Sequence, residues 1–109
     1  MITILKPSTT DKGKKFENEI IVSVWAKATN NHERIELEAF DVNGKLMLWD
    51  EYGNSNSKYG WEIDHILPRE KNGRTTIENL QPLNWKSNEE KSVTFPWVPN
   101  KMTSKVEVN

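Results

Sequence analysis

Four polar side chains carry the chemistry that this sequence offers: the adjacent pair Asp64-His65, and the amides of Asn79 and Asn88. An imidazole accepts a proton near neutral pH because its ordinary pKa is about 6.5. Asp64 supplies one hard anionic oxygen and Asn88 a neutral amide oxygen. Oxygen ligation of that kind suits Mg²⁺ or Mn²⁺ better than zinc. Asn79 can donate and accept hydrogen bonds at once. Each residue also has an ordinary explanation. His65 alone reads as a surface or core histidine, Asp64 as a cap or ion-pair partner, Asn79 as a turn former, and Asn88 as a solvent-facing helix residue.

The elements around them decide whether they can meet. Trp61 to Leu67 has the composition of a short strand ended by Pro68. Residues 69–76 are a charged loop with Asn72-Gly73 at its middle, where Asn tolerates a left-handed backbone. Ile77 to Leu83 reads as a second strand, which Pro82 confines to an edge or a strand end. Asn84 to Ser92 reads as a short helix capped by Asn84 or Ser87. In a regular strand Asp64 and His65 point to opposite faces, so one site needs the strand bent or ending there.

Upstream, Phe16, Ile20, Ile21, Val24, Trp25 and Ala28 recur at helical spacing, which predicts a helix over 15–29. Ile35, Leu37 and Ala39 alternate with polar residues, Asn43-Gly44 fits a tight turn, and Leu46 to Trp49 follows as a second strand. The expected organisation is a polar arm over 1–14, a single domain over 15–99 with its catalytic core at 61–92, and a tail over 100–109. Lys12, Lys14 and Lys15 form a small basic cluster at the arm's end.

The order strand, loop, strand, helix, with Asp64-His65 followed by Ile66-Leu67-Pro68, then Asn79-Leu80, then Asn88 and Lys91, resembles the HNH endonuclease family. The resemblance covers about thirty positions, 61–92, with Asn88 where the family's commonest third letter is His. It implies an α+β fold with a small ββα-metal core, preceded here by a helix and a β-hairpin. It implies DNA as substrate, a divalent ion (Mg²⁺ or Mn²⁺) held by Asp64 and Asn88, and His65 activating water. Asn79 would tie the loop to the second strand and orient His65. Arg69 and Lys91 are read either as phosphate contacts or as solvated charges. Glu62, two before Asp64, is left outside the metal set. His32 has no metal-ligand companion and reads as a surface residue. Trp61, Trp85 and Leu80 read as core.

Composition narrows the classes. The 109 residues make one domain, with 15 Lys and Arg against 16 Asp and Glu, a net charge of −1. There is no cysteine, which excludes disulfides, thiolate zinc sites and cysteine nucleophiles. Relatives that carry zinc knuckles are held by them; here the five tryptophans are expected to hold the core. No apolar run reaches membrane-spanning length, and a cytoplasmic protein is expected. Residues 60–109 carry seven basic and seven acidic side chains, so affinity for DNA needs basic residues clustered in space, a partner protein or a second copy. That balance keeps a second reading open: a catalytically silent DNA-binding or protein-interaction module on the same fold. An antibacterial toxin ranks below both.

Overall fold

A computed structural model of the chain describes residues 8–28 and 37–99. His32, the last residue of the helix expected over 15–29, the start of the first strand, the first half of the arm and the tail lie outside these residues. The order of elements is α1 (Asn18–Trp25), β1 (Glu38–Phe40), β2 (Leu46–Leu48), β3 (Trp61–His65), β4 (Leu80–Asn84) and α2 (Trp85–Lys91). The architecture is mixed α+β, with two antiparallel two-stranded sheets, β1-β2 and β3-β4.

The helix is shorter than its apolar stripe suggests. Phe16 belongs to the stripe but precedes the helix. Its neighbour Lys15 bridges back to Thr9, and Glu17 is extended. Ile21, Val24 and Trp25 turn inward from α1. The β1-β2 hairpin pairs Phe40 with Leu46, so its loop is five residues, 41–45, rather than the two expected at Asn43-Gly44. Asp41 explains the difference: its Oδ1 accepts the amides of Asn43 and Lys45, and only Gly44 of the loop takes positive φ.

The strand β3 ends at His65, two residues before the expected Leu67, and pairs with β4 from Trp61↔Asn84 to His65↔Leu80. Ile77 to Asn79, expected as strand, forms a 3-10 turn instead. Pro82 faces Ile63 within the two-stranded sheet, where each strand has a free edge that needs no amide. Asn84 is the cap of α2, accepting the Lys86 amide; Ser87 lies inside the helix and is fully buried.

The core is aromatic. Trp61 is 0% exposed, and ring centroids separate it by 4.8 Å from Trp25, 4.8 Å from Tyr52 and 5.9 Å from Trp49. Trp85 departs from its expected core position. It is half-buried on a cleft wall, with Nε1 donating to the Ser57 carbonyl. Aromatic packing is not the only fastening. A buried polar cluster joins the hairpin loop to the start of α2: Asp41 Oδ2 accepts the Asn84 amide, and Asn43 Nδ2 donates to Ser87 Oγ.

Residues 8–15, expected as part of a loose arm, lie against the second sheet and its loop. Ser8 Oγ accepts the Ile63 amide at 2.7 Å, and Arg69 Nη1 donates to Thr9 Oγ1 at 2.7 Å and to the Thr9 carbonyl at 3.0 Å.

Candidate active site

The strand β3 presents two faces of different chemistry. Glu62 and Asp64 share the face toward α2, as the two-residue period of a strand requires. Asp64 is buried, and Gln81, its cross-strand partner, donates to Oδ2 at 3.0 Å. Lys91 Nζ lies 3.2 Å from Asp64 Oδ2 and donates to the His65 carbonyl at 3.1 Å. Burial pushes the Asp64 carboxyl above the ordinary carboxylate range, and Gln81 and Lys91 oppose that push. Lys91 is 1% exposed, so it is neither a solvated charge nor a surface contact for phosphate. It is an internal counter-ion to Asp64.

His65, the last residue of β3, turns toward the N-terminal segment. Nε2 lies 2.9 Å from Thr75 Oγ1, and the Phe16 ring lies 6.4 Å away, tilted by 39°. Burial pulls the imidazole down to about 4, and the positive charge of Arg69 acts in the same direction. At neutral pH the ring is therefore uncharged and able to take a proton.

The two directions still meet in one cleft of about 450 Å³, lined by Glu62, Asp64, His65, Arg69, Trp85 and Asn88 among others. Asn88 Nδ2 donates to Glu62 Oε1 at 2.8 Å. Because a carboxylate only accepts, this bond fixes which end of the amide faces Glu62 and leaves Oδ1 as the remaining acceptor. Glu62 is held above the ordinary carboxylate range by burial first, with the Asp64 charge adding to it and the Asn88 bond opposing it.

Asn79 stands apart from His65. Its Oδ1 accepts the Leu67 amide at 2.8 Å, while Nδ2 donates to the carbonyls of Leu67 and Arg74. It closes the loop after β3 rather than touching the imidazole. The same loop turns at Asn72, whose φ of +71° is left-handed, and at Gly73, where a Cβ would collide with the Leu67 carbonyl.

Asp64 and Asn88 both line the cleft, and a carboxylate with an amide oxygen is donor chemistry that fits a Mg²⁺ or Mn²⁺ ion taking its other ligands from water and phosphate. Among the described residues no three His, Asp or Glu side chains converge as a preformed cation cage. Two further residues join the cleft and its histidine. Glu62, noticed in the sequence by its two-residue spacing from Asp64 but left outside the metal set, lines the cleft beside Asn88. Thr75, an unremarkable loop threonine, carried no signal at all.

Residues 52–94 match the HNH endonuclease family model. No curated protein and no solved structure gives a significant match to the chain. The strand–loop–strand–helix unit seen at Trp61–Lys91 lies wholly within the matched segment, and its compact ββα arrangement is consistent with the HNH family that the match supports. No helix among the described residues is long and apolar enough to cross a membrane.

Proposed function

We propose that the protein is a metal-dependent HNH endonuclease that hydrolyses DNA phosphodiester bonds. The observation that carries this reading is the opening of Asp64, His65 and Asn88 onto one cleft inside the family-matched segment. Neutral His65 takes a proton from the attacking water. Asp64 and Asn88 would hold the divalent ion, assigned as Mg²⁺ or Mn²⁺ on their hard oxygens. When bound, that ion supplies charge neutralisation at the phosphate and stabilises the departing oxygen. Lys91 and Gln81 keep the Asp64 carboxylate in place from behind, and Asn79 holds the loop that flanks the cleft. Arg69, which lines the cleft, would add positive charge toward a phosphate held there.

Supercoiled plasmid incubated with Mg²⁺ or Mn²⁺, with and without chelator, tests the reading. Cleavage that the chelator abolishes is expected, and His65→Ala should lower its rate by about 10²–10⁴-fold. Cleavage retained at the wild-type rate in that variant would overturn the assignment of His65.

The silent-module reading keeps one specific observation in its favour. Asp64 is already paired with an internal ammonium, so a cation must share it. DNA binding without cleavage in either metal would favour that reading. Whether DNA cutting uses a second copy of the chain or an accessory protein is read from the order of the reaction in protein concentration.

A further inference from the structure

Thr75 is the side chain that touches the imidazole, and it is itself held from the other side. Its Oγ1 accepts the backbone amide of Asp11 at 2.7 Å and lies 2.9 Å from His65 Nε2. A threonine hydroxyl has two acceptor positions and one proton. The Asp11 amide takes one acceptor position. What remains for Nε2 is either the second acceptor position, with Nε2–H donating, or the hydroxyl proton, with Nε2 accepting. The two cases place the lone pair of the neutral ring at opposite ends. In the first it sits on Nδ1, in the second on Nε2, where Thr75 blocks it.

The surroundings favour the first case. Nδ1 makes no hydrogen bond to a described residue, and no fully buried side-chain nitrogen or oxygen among those residues is left unpaired. Nδ1 therefore keeps contact with solvent, and His65 is among the residues that line the cleft. Arg69 lines the same cleft. A cation beside the ring favours a lone pair there over an N–H.

We propose that Thr75 is a positioning residue: it holds His65 as the Nε2–H tautomer and so presents Nδ1, unprotonated, to the cleft as the proton-accepting atom. The N-terminal segment is part of this device. Asp11 fixes the hydroxyl through its amide, Arg69 fixes the carbonyls of Thr9 and Thr10, and Ser8 fastens the segment to the β3 edge at Ile63. The proposal rests on the reading of His65 as general base, and it extends that reading to Thr75, within the family-matched stretch, and to the N-terminal segment outside it.

Imidazole nitrogen NMR on histidine-labelled protein tests it without any appeal to activity. The chain has two histidines, so the His65 signals are those lost in His65→Ala. Wild type at neutral pH should show a protonated Nε2 and an unprotonated Nδ1. In Thr75→Val the ring should become a mixture of tautomers. Cleavage should fall by about 10²-fold in kcat, with KM for plasmid changed by no more than about twofold. Thr75→Ser should restore both readouts. A wild-type ring protonated on Nδ1 would overturn the proposal, as would Thr75→Val with unchanged tautomer and unchanged kcat. Wild-type protein that cuts no DNA would instead overturn the nuclease reading, and the tautomer measurement would then decide the Thr75 assignment by itself.

Discussion

At the scale of residues, the least expected feature is a lysine buried beneath a carboxylate. Lys91 and Asp64 are 1% and 9% exposed in their side chains and 3.2 Å apart. Two charges removed from water are held by each other and by the Gln81 amide and His65 carbonyl. Removing one partner of such a pair strands the other, which costs about 3–5 kcal/mol. Lys91→Met is expected to destabilise the protein by that amount in chemical denaturation. Asp64→Asn combined with Lys91→Met should recover more than half of it. A loss below about 1 kcal/mol would mean that water reaches the pair.

His65 gives a second residue-scale expectation, with a definite sign. Its pKa is about 4 in the folded protein against about 6.5 when exposed. Between these values the unfolded chain binds the proton and the folded one does not. Stability from this group is therefore complete above about pH 6.5 and declines as the pH falls toward 4. Glu62 and Asp64, both raised by burial, act with the opposite sign, so wild type alone would blur the effect. The difference in unfolding free energy between wild type and His65→Ala, measured without divalent metal, isolates it. That difference should shift by about 3 kcal/mol against the wild type on going from pH 7 to pH 4. A difference independent of pH would show that the imidazole is not desolvated.

At the scale of elements, the hairpin β1-β2 is joined to the β3-β4-α2 unit by a polar joint. Asn84 closes that joint: its amide meets Asp41, its Nδ2 meets the carbonyls of Leu46 and Lys58, and its Oδ1 caps α2. Asn84→Ala removes a cap, worth about 1 kcal/mol, and leaves two carbonyls without that donor at about 1 kcal/mol each. A loss of about 2–4 kcal/mol in unfolding free energy is expected, and a change below about 0.5 kcal/mol would show that water replaces the side chain. The cap was legible in the sequence, because Asn84 directly precedes a helix-forming run. The joint was not, since the two segments are some forty residues apart and only the fold brings Asp41 to Asn84. The same distinction explains the other departures. The apolar stripe announced α1, but Phe16 joins the core from an extended segment. Ile77 has strand chemistry, yet the three bonds of Asn79 close a tight loop there instead. Asp64, His65 and Asn88 were legible by type and spacing, whereas Thr75 and the true surroundings of Lys91 depend on contacts that no local pattern records.

At the scale of the whole molecule, charge distribution decides whether a protein of net charge −1 can hold a polyanion. The fold does what composition could not announce. Through Asp11 to Thr75 and Arg69 to Thr9, it docks the lysine-bearing segment on the loop after β3, the loop that also carries Lys71 and Arg74. Lys12, Lys14, Lys15, Lys71 and Arg74 are all exposed, while Lys91 is withdrawn into the interior. On the proposed reading, cations on that edge would meet the backbone of DNA that enters the cleft lined by Arg69. Each phosphate neutralised contributes about 0.9 to the slope of log affinity against log salt for duplex DNA. Replacing Lys12, Lys14 and Lys15 together by Gln should weaken binding of a duplex oligonucleotide, measured with the His65→Ala protein to prevent cutting. It should also lower the salt slope by about 2–3 if all three residues meet phosphates. Folding should be spared, because the bonds that dock the segment come from Ser8, Thr9, Thr10 and the Asp11 amide and not from the lysine side chains. An unchanged slope with unchanged affinity would move the DNA path to another face of the molecule and leave the docked segment with its role at Thr75 alone.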